Sequence, residues 1–221
     1  MRVHRWCGPR AACSPDAPRI AGSPRFIECH RLSPFAGRGA DTDVVFDVMI
    51  HDLDLIAFVV GRPLQSVEAV GVPVLSTHAD IANARLRFEG GCIANVTASR
   101  VSLKRERRLR IFREDAYVAV DFDARSLRVV RKREGAGAFD PSSPMEGIDL
   151  EERTFADDAD PLRDEVEAFV AAVRAAGTGA PAPGSAPLGV AAVSGREALV
   201  ALAIAERVRE AMATGGAVGA S

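Results

Sequence analysis

A chain of 221 residues, 48% hydrophobic and with a formal net charge of -2, has ample apolar material for a core and no global pull toward nucleic acid or an anionic membrane. No apolar run approaches the roughly 20 residues that span a bilayer. The four cysteines, Cys7, Cys13, Cys29 and Cys92, form neither a Cys-x-x-Cys pair nor a metal-ligand spacing, which fits a reducing compartment and an expected cytoplasmic location.

Residues 1–20 are basic, are broken by prolines, and lack the continuous apolar core of a signal peptide. They are expected to be disordered or foreign to an intact fold. Order is expected from residue 21, with a Pro-bounded strand over 22–32 and a loop over 33–40. A helix follows, capped by Asp41 or Asp43 and ended by Gly61 before Arg62-Pro63.

Residues 66–74 read as a strand and 80–99 as a hairpin. Ala82, Leu86 and Phe88 alternate there with Asn83, Arg85 and Arg87, and Glu89-Gly90-Gly91 turns the chain into Cys92, Ala94, Val96 and Ala98. Three more strands are expected over 108–113, 116–122 and 126–131, and their short connections imply antiparallel pairing. Periodicity fades over 134–160, which reads as an excursion or flexible loop. An amphipathic helix over 160–174 carries Leu162, Val166, Phe169, Val170 and Val173 on one side. A Gly/Pro/Ala linker over 177–189, a final helix over 190–212 and a frayed tail over 214–221 complete the chain. The inventory predicts an α+β domain over 21–213, an open, mostly antiparallel β-sheet with helices packed on one face. The other face is solvated or an oligomer interface.

Chemistry concentrates in the helix expected after residue 41. Its residues are almost all apolar, yet Asp47, His51 and Asp54 recur at i, i+4 and i+7, a spacing that stacks them on one helical face. Buried carboxylates need partners, so that stripe faces donors or a wet cleft. A carboxylate one turn before an imidazole makes a general acid/base pair, with the carboxylate fixing the tautomer. The bland reading is a buried His51 that satisfies a neighbouring helix. A metal site drawn from Asp43, Asp47, His51 and Asp54 uses the same letters but has no second His-rich segment behind it. The His51-Asp52 dipeptide is also found in metal phosphohydrolases, which are all-helical and need further histidines.

The segment Asp47-Val-Met-Ile-His51-Asp-Leu-Asp54 resembles the Asp-x-x-x-His-x-x-Asp stretch of the Gfo/Idh/MocA oxidoreductases, and the similarity extends from about residue 21 to 212. The resemblance implies the family's second domain, an open sheet that binds a sugar or sugar-nucleotide and drives homo-oligomer formation. By that resemblance His51 is the catalytic acid/base that moves the proton of the oxidised hydroxyl, and Asp47 positions substrate or His51. Asp54 takes the motif's last acidic position, in a structural role or beside the substrate. The segment His30-Arg31-Leu-Ser-Pro-Phe35 further resembles the branch that oxidises UDP-N-acetylglucosamine. On that branch Arg31, Lys104 and Arg105 are expected on the substrate side, and the basic run continues through Arg107, Arg108 and Arg110.

NAD or NADP is the cofactor the resemblance implies. A dinucleotide site needs a strand, a Gly-x-Gly-x-x-Gly turn and a helix N-terminus, and the chain contains no such motif, nor the family's Glu-Lys-Pro. The expectation is a substrate and oligomerisation domain without its Rossmann partner, inactive alone and binding no dinucleotide by itself. The competing expectation is a non-catalytic assembly or binding module that pairs through its open sheet face.

Overall fold

The computed structural model describes residues 22–36, 41–133, 146–154 and 195–215, with isolated positions at 135, 142–143 and between 166 and 174. Expectations for the first 20 residues, the linker over 177–189 and most of the 160–174 helix lie outside the described residues. The positions described within that helix, 166, 167, 169, 170, 173 and 174, are helical.

Eight strands form one sheet: β1 (Phe26–Leu32), β2 (Leu64–Val72), β3 (Ile81–Phe88), β4 (Ile93–Ser99), β5 (Glu106–Phe112), β6 (Ala116–Asp121), β7 (Ser126–Lys132) and β8 (Ile148–Thr154). Their order is β2-β3-β4-β1-β5-β6-β7-β8. Strand β1 therefore lies in the middle, parallel to β4 and antiparallel to β5. The other adjacent pairs are antiparallel, as the short connections from β2 through β4 and from β5 through β7 demand, and β7–β8 is antiparallel across a longer one. The hairpin turns through Gly90 and Gly91 at φ of 85° and 87°, a conformation that favours glycine.

Among the described residues two whole helices cover one face. Helix α1 (Ile50–Val60) is preceded by a π-helical turn, Val45–Met49, and α2 spans Gly195–Gly215. The small side chains of Ala82, Ala84, Ala94 and Ala98 let the helices approach, and Leu53, Leu55, Ile56, Val59, Ile204, Ala205 and Val208 join them in one buried cluster. Burying each of the larger side chains is worth about 1.5–3 kcal/mol. Two Arg207 N–H groups donate to the carbonyls of Leu64 and Gln65 at 3.1 and 3.0 Å, where the β2–β3 register slips.

The opposite face is largely polar, and no helix among the described residues covers it. Arg110 meets Glu28 at 3.4 Å, Arg108 meets Asp121 at 2.9 Å, and the Asn83 amide donates to the Thr97 hydroxyl at 2.8 Å. Between such rows runs an apolar one, Ile93, Phe26, Phe112, Tyr117, Val130 and Leu150, whose members pair strand to strand.

Two expectations are corrected. Strand β8 lies inside the stretch read as an excursion over 134–160; its Ile-Asp-Leu-Glu-Glu-Arg-Thr sequence is too charged to announce a strand. Cross-strand ion pairs hold it at the sheet edge, Arg128 to Glu152, Arg131 to Glu151 and Arg133 to Asp149. Of the two expected helix caps Asp43 serves: its Oδ1 accepts the N–H groups of Val45 and Phe46 at 3.0 and 3.2 Å. The second correction is that the helix is not α-helical throughout: after an i→i−4 bond from the Asp47 N–H to the Asp43 carbonyl at 3.1 Å, the Ile50 N–H reaches back five residues to the carbonyl of Val45. Gly61, at φ 60° and ψ 25°, ends α1 as its sequence position demands.

Candidate active site at the carboxyl ends of β1 and β4

Strands β1 and β4 run side by side and stop together, Leu32 opposite Ser99. The start of the α1 segment is moored at the same end, because the Val44 N–H donates to the carbonyl of Ala79 and the Arg100 N–H to that of Asp80, both at 2.8–2.9 Å. Asp47 and His51 are both exposed there, one turn apart. The reading of His51 as a buried histidine that satisfies a neighbouring helix is thereby set aside. Asp54 is partly buried, so the polar stripe runs from solvent toward the core.

Among the described residues no hydrogen bond joins Asp47 to His51. Asp47 instead meets Arg100, whose Nη1 lies 3.6 Å from its Oδ2. Arg100 is itself buried, and its Nε donates to Asp80 Oδ1 at 2.8 Å while Nη2 donates to Ser76 Oγ at 3.1 Å. Asp80, wholly buried, also accepts the N–H groups of Val74, Leu75 and Ser76 at 2.8, 2.6 and 2.9 Å and the Ser76 hydroxyl at 2.8 Å. Burial alone would raise its pKa. The N–H groups of Leu75 and Ser76, then Arg100 and the Ser76 hydroxyl, more than reverse that and hold the carboxyl well below the usual carboxylate range.

Neither Asp80 nor Arg100 was singled out from the sequence. The signal was present in the hairpin: the register pairs Ile81 with Ser99, so the residues just outside the two strands face each other.

Asp52 was noted only as part of a His-Asp dipeptide. Its carboxylate is buried and accepts Arg31 Nε and Nη2 at 2.8 and 2.6 Å, a bidentate fork. Arg31 is thus brought to the site, but its guanidinium is already engaged. Burial would lower the pKa of Arg31, and its bonds and charge attraction to Asp52 raise it instead. Lys104 and Arg105 are exposed in the connection from β4 to β5, with Arg105 3.7 Å from Asp123. Asp47 and His51 thus stand exposed one turn apart, and the buried Asp52 next to His51 holds Arg31.

The metal and phosphohydrolase readings find no support in this geometry. Asp43 is spent on the helix cap and Asp47 leans on a cation. Among the described residues no group of three or more His, Cys, Asp or Glu side chains is placed to hold a metal. Cys29 and Cys92 are buried thiols. No helix among the described residues is long and apolar enough to cross a membrane.

An open mixed sheet with helices on one face, and an exposed His and Asp on the helix that follows its central strand, defines an α+β domain. Residues 21–119 match the family model described as the GFO/IDH/MocA C-terminal domain, and the chain belongs to that family. It is 40% identical over 154 residues to the UDP-N-acetylglucosamine 3-dehydrogenase of Acidithiobacillus ferrooxidans, a match covering 70% of this chain and 47% of that enzyme. A solved structure of that enzyme superposes with a TM-score of 0.70 at 34% identity, covering 91% of this chain and 60% of the other. Levoglucosan dehydrogenase, solved with NADH and levoglucosan, shares the fold with a TM-score of 0.64 at 14% identity, covering 91% of this chain and 62% of its own. The chain therefore spans about half the length of the curated relative it matches.

Proposed function

We propose that this domain forms the substrate side of an NAD(P)-linked dehydrogenase that oxidises a ring hydroxyl of a sugar-nucleotide of the UDP-N-acetylglucosamine type. The observation that carries the reading is the exposed pair Asp47 and His51, set above the buried Arg100–Asp80 network in a chain 40% identical to such an enzyme. His51 takes the proton of the hydroxyl as it is oxidised, and its exposure leaves a ring nitrogen open to the substrate. Asp47, steadied by Arg100, accepts hydrogen bonds from the sugar or from His51 and sets the approach. Asp54 supports the same helical stripe from its buried end.

The described residues do not fit a dinucleotide. The first N–H groups of the α1 segment, where a pyrophosphate would sit in a phosphate-binding fold, are taken by the Asp43 carboxylate, whose charge repels phosphate. No step is therefore assigned to the nicotinamide group through these residues. In this reading a separate dinucleotide-binding domain holds it, and the chain alone turns nothing over.

A second copy meets the open sheet face. Its apolar row, with Phe26 and Phe112 ring centroids 5.7 Å apart and Phe112 and Tyr117 5.1 Å apart, runs between rows of paired charge and suits face-to-face packing with a copy of itself. Phe112→Glu is expected to convert the assembly to monomer in sedimentation velocity. An unaltered sedimentation coefficient would place the interface elsewhere.

The activity test joins the chain to the dinucleotide-binding half of the Acidithiobacillus relative and follows NAD(P) reduction with UDP-N-acetylglucosamine. His51→Ala should lower kcat by about 10²–10⁴-fold without lowering Tm. Turnover that survives the substitution removes the acid/base role, and turnover by the unjoined chain shows that it holds the dinucleotide itself.

A further inference from the structure

Strand alternation divides the basic run before and within β5 into two populations. Arg108 and Arg110 point to the open face, where Asp121, Glu106 and Glu28 neutralise them. Arg107 points to the helix-bearing face, directly across the antiparallel ladder from Arg31. Residues opposed in this way have Cβ atoms about 5 Å apart, and like charges so placed repel. Arg31 is already saturated by Asp52. The Arg107 carbonyl accepts the Phe122 N–H at 2.9 Å, but among the described residues no hydrogen bond or salt bridge engages its guanidinium, which Asp123 and Asp52 attract only from beyond contact distance.

Burial first, then the charges of Arg31 and Arg105, push the pKa of Arg107 below that of a free guanidinium. A partly buried cation crowded by two others is an unfavourable arrangement until an anion joins it. Arg31 pairs with Asp52 and Arg105 leans on Asp123, and the attraction that these two carboxylates also exert on Arg107 is outweighed by its burial and by the charges of Arg31 and Arg105. That excess of positive charge calls for an anion, and a planar guanidinium suits the oxygens of a phosphate or diphosphate.

We propose that Arg107, with Lys104 and Arg105 at its rim, holds the diphosphate of a nucleoside-diphosphate sugar. The proposal rests on the dehydrogenase reading only for what is attached to the diphosphate. His51 precedes Asp52, Asp52 grips Arg31, and Arg31 faces Arg107, so the anion site lies one side chain beyond the residues that anchor the acid/base helix. The pyrophosphate of a dinucleotide has the same chemistry, and the test separates the two sources.

The experiment is calorimetric titration of the intact chain with UDP, UDP-N-acetylglucosamine, NADH, inorganic phosphate and free N-acetylglucosamine. UDP and UDP-N-acetylglucosamine should bind more tightly than phosphate, and Arg107→Gln should weaken both at least tenfold. Arg107→Lys should recover part of the loss, as a point charge replaces a fork, and it keeps the test valid if the glutamine variant misfolds. The Tm of Arg107→Gln should match or exceed that of the parent, because the substitution relieves crowding among cations. Unchanged UDP affinity in Arg107→Gln, no UDP binding by the parent chain, or binding no tighter than that of phosphate overturns the proposal. So does a loss confined to NADH, which assigns the site to a dinucleotide. His51→Ala should leave UDP affinity unaltered, so failure of the acid/base reading is distinguishable from failure of this one.

Discussion

Arg100 touches two carboxylates whose surroundings are opposite. Asp80 is closed off from water and accepts three backbone N–H groups, a hydroxyl and a guanidinium. Asp47 is exposed and meets the same guanidinium at 3.6 Å, with capacity left for a ligand. The difference shows how one cation serves both a frame and a site. Its position is fixed by the satisfied side, so the carboxylate on the wet side is aimed without being consumed.

Disturbing the closed side tests the contrast most severely. Asp80→Ala takes from the buried Arg100 its nearest carboxylate and leaves three N–H groups without their acceptor, and a loss of about 3–5 kcal/mol is expected in urea unfolding. A loss no greater than that of Asp47→Ala would erase the distinction. The same carboxyl gives a pH dependence. Its folded pKa is lowered, so its contribution is complete above the unfolded value of about 4 and fades as pH falls toward and through the folded value. Acid unfolding of the parent should therefore be steeper than that of Asp80→Asn.

Arg31→Ala comes next, at about 3 kcal/mol, because it leaves Asp52 buried and unpaired. Gly71→Ala should cost about 1 kcal/mol: a Cβ there would stand 2.4 Å from the Met212 sulfur and 3.1 Å from the Ala79 Cβ, so the methionine side chain has to shift. Asp47→Ala closes the series. It should alter stability by less than about 0.5 kcal/mol while impairing turnover in the joined enzyme, and a clear fall in Tm would make Asp47 part of the frame.

The sheet was legible where the sequence alternates, as in 81–99, and the helix end was legible from Gly61 and Pro63. Strand β8 was not, because its charges find partners only in β7 and look like loop residues in isolation. The central place of β1 was equally hidden: nothing within Phe26–Leu32 reveals that it pairs with strands far along the chain. At the site, Asp47 and His51 stood out because polar residues interrupt an apolar helix. Asp80 and Arg100 did not, since each sits at a strand end where charged residues are ordinary, and only register makes them partners. The basic run was visible as composition, but which of its members lacks a counter-ion depends on which face each one takes.

The mid-sheet position of β1 also sets an order of events during synthesis. This strand leaves the ribosome before either of its neighbours and has no backbone partner until Ile93–Ser99 and then Glu106–Phe112 have emerged. Until then Ile27 and Cys29, destined for the core, ride on a strand with both edges bare. Closure of the sheet is thus a late, long-range event, slow by contact order and exposed to mispairing, and the nascent chain passes through a window in which a chaperone or a slow stretch of translation decides its yield.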